Sequence, residues 1–343
     1  MHKEGKIILQ NGEEREIFLH NINPEHQGTG GELFELKDGS LLVTGTGRWL
    51  TKDFRTFEPF EADNKYHGSN YLRLKDGRVM CIFSEAVENI YKNKLGAANF
   101  YCAFSDDECR SFHDPVPIST DNERLYLMNN RIKRLSDGTI ALCISLHPNC
   151  LLEDTGYFEA AGWVNLFYSK DEGQTWQKGE WLTAEHVDQL CEPTLCEMPD
   201  GHLKMLARTG RGYLYQTDSY DGGIHWSPER PTTLRSPVSP YNFLYDPYSK
   251  RYIVCWNDSF PGVPHQQPRT PIRVAVSDDG ENWETIFTLG NNPVGCYGYP
   301  AFHFAKDEIH ISYYINPGRV WADNRLHFAA IPRDVHEKLL PRD

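Results

Sequence analysis

Short apolar runs alternate with polar turns along this chain, and the runs come in pairs. An apolar run, an Asp-Gly turn and a second apolar run occur in "ELFELKDGSLLVTG", "YLRLKDGRVMCIF", "RIKRLSDGTIALCI" and "TLCEMPDGHLKMLA". Each pair predicts a β-hairpin, because Asp-Gly accepts the positive φ of a tight turn and the flanks are rich in strand formers. The segments "YNFLYDPYSKRYIVCW" and "PAFHFAKDEIHISYY" keep the pattern without Asp-Gly, which gives six hairpins.

A second motif follows five of these hairpins. Its clearest copy is "YSKDEGQTW", with looser copies in "DSYDGGIHW" and "VSDDGENW" and eroded ones in "FSDDECRSF" and "LTKDFRTF". The serine and aspartate are expected to hydrogen-bond the amides of the turn, and the glycine to take a conformation that other residues avoid. The tryptophan is expected to pack against neighbouring strands. One repeat therefore consists of a hairpin, a third strand, this turn and a fourth strand.

Six four-stranded antiparallel sheets in succession predict an all-β protein, a six-bladed β-propeller, in which radial repetition protects the strand edges. The last repeat has a third strand, "RLHFAAI", but no motif turn. We therefore expect the N-terminal segment "KIILQ" to supply the missing fourth strand and to close the last blade. We interpret residues 1–343 as a single domain with little helix.

Composition limits the partners. The formal charge of −13, spread along the chain, argues against binding to nucleic acid or to an anionic membrane surface. The sequence has no apolar run of about 20 residues and no signal-peptide core, so as written it predicts a cytoplasmic protein, or an exported one if a signal was removed. Nine cysteines without CxxC pairs predict buried free thiols. Spacings typical of calcium loops or zinc sites are absent, so we predict no metal and no cofactor. The sequence indicates no oligomeric state.

Polar side chains recur where the first strand of a repeat starts, the second ends and the third starts, which are positions at one rim. They are Glu32, Arg48, His67, Asn70, Glu85, Asn130, Arg131, His147, Glu192, Arg208, Asn242, Asp258, Arg269, Tyr297, Tyr299 and Tyr314. Arginines and carboxylates at one mouth of an acidic protein indicate a site for a small anionic ligand, because a guanidinium binds a carboxylate bidentately. Solvation of loops is the alternative role for each of these charges.

The S-x-D-x-G-x-T-W turn resembles the Asp-box of the sialidase superfamily, and its repetition is similar to the sialidase propeller over essentially the whole chain. Glu192 and Arg208, in "CEPTLCEMPDGHLKMLARTG", match a fourth-blade segment of the family. Arg269 stands eight positions before the serine of the next turn, and Tyr299 opens the sixth repeat. The resemblance implies that Arg208 and Arg269 hold a substrate carboxylate. It also implies that Tyr299 attacks the anomeric carbon while Glu192 takes the phenol proton, a choice that avoids repulsion between two carboxylates.

The chain also departs from the family. The Arg-Ile-Pro motif, which supplies a third carboxylate-binding arginine, is replaced by "GTGGELFEL". The loop that carries the family's acid/base aspartate is cut to "TGTGRWLTKDF". Tyr314 stands where the family has a glutamate that supports the absent arginine. We therefore expect a substrate other than ordinary sialic acid in its ordinary pose.

Replacements for the lost groups are chosen by position along the rim. Arg131 is preferred to Arg48 as a third cationic contact, and Asp258 is a further candidate for substrate binding. Glu85 is the first candidate for the proton donor, at the head of the insert "SEAVENIYKNKLGAANF". His67 and His147 compete with it as proton donors or as wall residues of the site, because imidazole titrates near neutral pH.

Two classes of function agree with these residues. The first is an exo-acting glycoside hydrolase, or a related lyase, that removes a terminal acidic sugar such as sialic acid, another ulosonic acid or a uronic acid from a glycan. The second is a propeller that binds acidic glycans and has lost catalysis, which explains the missing arginine and aspartate without replacements. We favour the enzyme, because a pure binder has little need for Glu192 together with Tyr299.

Overall fold

The computed structural model describes residues 3–23, 31–45, 47–63, 65–66, 68–87, 97–121, 123, 125–146, 162–184, 190–260, 269–316 and 324–342. These residues form β-strands and turns. Helix among them is confined to two single-turn 3₁₀ helices, Arg333–Val335 and Glu337–Leu339. The predicted all-β class with little helix is confirmed.

The described strands are short and antiparallel. In chain order, β1 to β26 are Lys3–Leu9, Glu14–Asn21, Leu33–Glu35, Leu41–Thr44, Arg48–Thr51, Glu58–Pro59, Ser69–Arg73, Val79–Val87, Ala97–Ser105, His113–Ser119, Leu125–Tyr126, Ile132–Arg134, Ile140–Leu146, Trp163–Ser169, Gln177–Lys178, Cys191–Glu197, Leu203–Arg208, Tyr213–Ser219, Arg230–Arg235, Asn242–Asp246, Arg251–Asn257, Ile272–Ser277, Glu284–Gly290, Cys296–Phe304, Glu308–Asn316 and Arg325–Pro332. They form sheets with the orders β3-β4-β5-β6, β10-β9-β8-β7, β11-β13-β14-β15 with β12 also on β13, β16-β17-β18-β19, and β20-β21-β22-β23-β1-β2-β26-β25-β24.

All six predicted hairpins form. They are β3–β4, β7–β8, β12–β13, β16–β17, β20–β21 and β24–β25. In the second, the Gly77 amide donates to the carbonyl of Leu74 at 3.0 Å, and Gly77 has a φ of 92°. This left-handed backbone is what the Asp-Gly signal predicted.

The motif turns have the predicted hydrogen bonds. The Ser169 hydroxyl donates to the Asp171 carboxylate at 2.8 Å and accepts the Gly173 amide at 2.9 Å. Asp171 also accepts the Thr175 amide at 2.9 Å, and the Trp176 indole donates to the Gly173 carbonyl at 3.2 Å. The corresponding serine–aspartate bonds recur in the other serine-containing copies. The motif therefore holds a turn, which is a structural role.

The N-terminus differs from the prediction. "KIILQ" lies on β1, which pairs with β2 and β23, whereas the strand that pairs with β26 is β2 (Glu14–Asn21). The cause is a tight turn at Asn11-Gly12, where Gly12 has a φ of 86° and its amide donates to the Leu9 carbonyl at 2.9 Å. Asn-Gly is the strongest short-range signal for a hairpin. The N-terminal segment therefore enters the nine-stranded sheet as a hairpin, with its second strand beside the last repeat.

The chain divides into two compact units: residues 1–60, 210–214 and 231–343, and residues 61–209 and 215–230. The first contains the nine-stranded sheet and β3 to β6. Its core includes a cluster between the hairpin β1–β2 and the later strands, with Ile7, Ile286 and Ile311 fully buried. The second has apolar clusters of its own, centred on β8, β13 and β17. The prediction of one domain over 1–343 stays a prediction.

The C-terminal segment of the first unit is fixed by a buried ion pair. Arg333 donates to both carboxylate oxygens of Asp246, at 2.6 and 2.9 Å, and to the carbonyls of Ala305 and Leu339 at 2.8 Å. Both charged side chains are almost inaccessible. The 3₁₀ turns that follow β26 are thereby tied to the hairpin β20–β21.

The eight cysteines in the described ranges form no disulfide, and seven of them are buried, as predicted. Burial raises the pKa of the Cys143 and Cys191 thiols to about 12, so these thiols stay protonated. No helix in the described part of the chain is long and apolar enough to cross a membrane.

Candidate functional site

Four of the predicted rim residues have a left-handed backbone although they are not glycine. They are Asn70, Asn130, Glu192 and Tyr299, with φ between 48° and 63°. Asn70, Glu192 and Tyr299 coincide with shifts of strand register, between Ser69 and Tyr71, Cys191 and Thr194, and Gly298 and Ala301. A β-bulge of this kind changes the direction of a side chain. A strained backbone costs about 1–3 kcal/mol per residue, and such residues cluster at functional sites, where the strain serves the mechanism.

In the second unit, Glu192 and Arg208 form an ion pair at the end of the hairpin β16–β17. Arg208 Nη1 donates to Glu192 Oε2 at 2.8 Å, and the two side chains are 15% and 7% exposed. The bulge places Glu192 beside the cross-strand pair of Cys191 and Arg208, and the Glu192 amide donates to the Ser145 hydroxyl at 3.4 Å. The structure thus brings together two residues that the sequence placed sixteen positions apart.

Arg131, the proposed third cation, also lies in the second unit and is 2% exposed. Its Nη1 donates to the Asn129 carbonyl at 2.9 Å, and its backbone amide donates to the side-chain oxygen of Asn70. Asn70 in turn donates to the Met128 carbonyl at 2.8 Å. These contacts tie the first strands of two neighbouring sheets together, and they give Arg131 a structural role whether or not it binds a ligand.

Glu85, the proposed proton donor, is exposed on β8, opposite Asn99 of β9. His67 and His147 lie outside the described residues. All three assignments stay predictions.

In the first unit, Arg269 precedes β22 and its backbone is fixed from two sides. The Arg269 carbonyl accepts the Tyr297 amide at 3.0 Å and the Asn257 side-chain amide at 2.8 Å. Its guanidinium donates through Nη1 to the Tyr314 hydroxyl at 2.7 Å. A short hydrogen bond from a guanidinium helps to orient the guanidinium fork.

Tyr314 connects Arg269 with Tyr299. Its side chain is fully buried, and its ring centroid lies 5.7 Å from that of Tyr299, with the rings tilted by 46°. Gly298 makes this approach possible, because a Cβ at that position would lie 2.8 Å from the Tyr314 ring and 2.8 Å from Pro240. Burial raises the pKa of Tyr314, so its hydroxyl is neutral at physiological pH. The sequence marked Tyr314 as a substitution within the family, but it gave no indication of the contact with Arg269.

Asp258, predicted to bind substrate, is held by two arginines of the first unit. Arg235 donates to Asp258 Oδ1 at 2.9 Å, and Arg273 donates to Oδ2. The Arg235 guanidinium also lies 4.4 Å from the centre of the exposed Phe260 ring. The two arginines thus neutralise the carboxylate. Toward a ligand, Asp258 can act by holding these arginines in position.

Among the described residues, no group of three or more histidine, cysteine, aspartate or glutamate side chains is arranged to hold a metal ion. The candidate site residues that the structure describes include arginines, carboxylates and tyrosines. Arginines bind carboxylates, and a tyrosine activated by a carboxylate is a nucleophile.

Comparison with known proteins identifies relatives. Residues 87–311 match the model of the BNR repeat-like domain. The anhydrosialidase of Macrobdella decora is 32% identical over 296 residues, which cover 78% of this chain and 36% of that protein. The chain thus spans about a third of the length of this curated relative.

Solved structures share the fold at low sequence identity. A protein of unknown function from Dyadobacter fermentans superposes with a TM-score of 0.68 at 16% identity, over 96% of this chain and 99% of that one. The Trypanosoma rangeli sialidase in complex with the inhibitor DANA gives a TM-score of 0.64 at 13% identity, over 96% of this chain and 58% of that one. At this identity the likeness concerns the fold alone.

Proposed function

Because this chain belongs to the BNR repeat-like family of the sialidase superfamily, we propose that it is an exo-acting glycoside hydrolase of the sialidase type. Its substrate in this proposal is a glycan that ends in an acidic sugar: sialic acid, another ulosonic acid or a uronic acid. We propose with it that the strand repeats form a six-bladed propeller. Repeating four-stranded antiparallel sheets and the sialidase-like fold support that architecture.

One observation carries the proposal. Tyr299 and Glu192, the two residues that the sequence assigned to nucleophile and base, both have left-handed backbones at bulges. A bulky tyrosine rarely has a φ of 49°. Strain at two residues chosen for their chemistry is more easily explained by catalysis than by folding.

In the proposed reaction, Arg208 and Arg269 bind the carboxylate of the sugar, and Tyr299 attacks the anomeric carbon. The phenol proton passes to Glu192, the glycosidic bond breaks, and the leaving oxygen takes a proton from a donor, for which Glu85 is the first candidate. Water then hydrolyses the glycosyl-tyrosine, which releases the sugar with retained configuration. The alternative, a binder without turnover, is supported by the absence of the Arg-Ile-Pro arginine and of the loop aspartate.

The test is turnover of aryl glycosides of sialic acid, of other ulosonic acids and of uronic acids. Tyr299→Phe should abolish turnover of the accepted sugar while leaving its binding nearly intact. Tyr297→Phe is the matched control, because its hydroxyl accepts the Asn292 amide at 3.1 Å and has no role in the proposed reaction. Full activity of Tyr299→Phe would refute the mechanism, and absence of turnover on every acidic glycoside, with binding retained, would favour the binder.

Glu85→Gln separates the proton donor from the nucleophile. Glycosides with poor leaving groups should slow far more than activated aryl glycosides, because only poor leaving groups need protonation. Equal slowing of both types of substrate would exclude Glu85 as the donor. His67→Gln and His147→Gln, tested in the same way, then identify which residue replaces it.

A further inference from the structure

Two histidines of the first unit face each other at the turn end of the hairpin β24–β25. His303 and His310 are cross-strand partners, and their rings are parallel within 8°. The two Nδ1 atoms are 3.0 Å apart, which is hydrogen-bond distance. The His310 side chain is fully buried and that of His303 is 11% exposed.

The outer nitrogen of each ring contacts a carboxylate. His303 Nε2 lies 3.0 Å from Glu35 Oε2, and His310 Nε2 lies 3.1 Å from Glu308 Oε2. Arg55 binds both oxygens of Glu308, which keeps that carboxylate ionised. The groups form a row in the order Glu35, His303, His310, Glu308, Arg55.

The row fixes the number of protons. An ionised carboxylate only accepts hydrogen bonds, so both Nε2 atoms must carry a proton. The contact between the two Nδ1 atoms needs one more proton, on one of them. Two neutral imidazoles supply two protons, whereas the three hydrogen bonds require three. A fourth proton would place two N–H groups against each other.

We infer that His303 and His310 together carry one proton more than two neutral imidazoles. They form a singly charged pair that shares this extra proton between its Nδ1 atoms. The pair joins two sheets of the first unit, since Glu35 is on β3 and Arg55 follows β5, whereas both histidines belong to the nine-stranded sheet. The charge of the pair thus makes the hydrogen bond of His303 with Glu35, and through it the contact between the two sheets, sensitive to pH.

The surroundings of the pair limit its positive charge. The faces of His310 are covered by the rings of Phe54 and Phe328, with centroids at 4.2 and 5.3 Å. Burial among them lowers the pKa of His310, which opposes a second charge on the pair. The hydrogen bond from His310, together with Arg55, lowers the pKa of Glu308 to about 2, so this carboxylate does not titrate between pH 5 and 8. The groups form a row instead of converging on one point, which does not suit a metal ion.

The proton count sets the pH dependence of stability. In the unfolded chain, two histidines with ordinary pKa values near 6.5 carry together about one proton beyond their neutral state at about pH 6.5. The folded pair holds one such extra proton over the whole pH range considered. Its contribution to stability is therefore greatest near pH 6.5. Above it the unfolded chain has fewer protons than the folded one, and below it the unfolded chain has more, so stability falls on both sides.

His303→Gln distinguishes this pair from two neutral histidines. The variant lacks the shared proton and keeps a neutral His310. The advantage of the wild type in the folding equilibrium constant should therefore fall as pH rises above 7, by up to about tenfold per pH unit, and level off below pH 6. A neutral pair gives the opposite sign, with an advantage that falls as pH drops below 6.5. Denaturant unfolding between pH 5 and 8.5 measures the difference.

His336→Gln, in the same unit, is the control for loss of a histidine. That imidazole accepts the Lys338 amide at 3.2 Å, and the variant should not show the loss of advantage above pH 7.

NMR of the ¹⁵N-histidine-labelled wild type tests the inference without a variant. Near pH 6.5 both Nε2 atoms should be protonated and one proton should couple to both Nδ1 atoms. An unprotonated Nε2 in either ring at that pH would overturn the inference.

Discussion

Replacement of Glu192 by glutamine is expected to change catalysis and binding in opposite directions. Glutamine keeps the volume of the side chain and removes the negative charge that lies 2.8 Å from Arg208. As the proposed base for Tyr299, Glu192 contributes to kcat, and its loss should lower kcat by about 10²–10⁴-fold. For binding the sign is reversed, because Glu192 and the carboxylate of an acidic sugar compete for the same guanidinium.

The size of the binding effect follows from the geometry of the ion pair. A ligand carboxylate on the other edge of the Arg208 fork lies roughly 6 Å from Glu192, where two like charges repel by about 3 kcal/mol at an effective dielectric constant of 20. The pair is largely buried, so screening by water reduces this value without abolishing it. Part of the gain in binding free energy is offset in the variant, because Glu192 also orients Arg208. We expect Kd to fall about tenfold, which corresponds to about 1.4 kcal/mol.

Isothermal titration calorimetry with the acidic sugar measures Kd, and single-turnover kinetics with its aryl glycoside measure the chemical step. Glu197→Gln is the matched control, because it removes the same charge from the other end of β16, where the carboxylate binds Ser136 at 2.5 and 2.7 Å. That variant should change neither quantity. An unchanged kcat in Glu192→Gln would remove Glu192 from the mechanism. Weaker binding in the same variant would mean that Arg208 does not contact the ligand.

Three further variants, one of them with a matched control, test single contacts. Tyr314→Phe removes one acceptor of the Arg269 guanidinium and should raise KM about fivefold with little change in kcat, in line with one lost hydrogen bond of about 1 kcal/mol; an unchanged KM would contradict this role. Arg269→Lys keeps the charge but loses the planar fork, so binding of the acidic sugar, measured by calorimetry, should weaken at least about tenfold, and wild-type affinity would refute the assignment. Asp246→Asn leaves Arg333 buried without its counter-charge and should lower the free energy of unfolding by about 3–5 kcal/mol in denaturant titrations. Glu14→Gln, which breaks the exposed pair with Lys6, should cost less than about 1 kcal/mol, and equal losses in the two variants would refute the argument from burial.

The sequence predicted the parts of this fold that depend on neighbouring residues. Asp-Gly turns and the serine–aspartate turns form because their hydrogen bonds close within four residues, as at Ser169 and Gly173. The prediction for the N-terminal strand was wrong because Asn11-Gly12 starts a hairpin of its own, and the apolar character of "KIILQ" does not specify its partner strand. Which strand pairs with β26 depends on the position of the whole hairpin in the sheet.

The sequence names candidate site residues, whose roles stay predictions, but it does not predict their backbone conformation. The spacing of Glu192 and Arg208 in one hairpin was enough to expect them at the same strand end, since two strands joined by a tight turn return to the same level. The left-handed backbones of Glu192 and Tyr299 had no local signal, because both residues ordinarily avoid that region and adopt it only where the sheet around them requires it.

Tyr314, at the place where the sialidase resemblance predicts a glutamate, fits the predicted loss of the family's third arginine. A buried carboxylate is tolerated where a cation neutralises it, and without that cation its charge would oppose an acidic ligand. A phenol at the same place fills the space, gives the Arg269 guanidinium an acceptor at 2.7 Å, and stays neutral because burial raises its pKa. Orientation of Arg269 is thereby kept while the cost of an uncompensated negative charge is avoided. A chain that had lost all use for an anionic ligand would have no reason to keep Arg269 oriented in this way, so the substitution favours a site that still binds a carboxylate through fewer arginines.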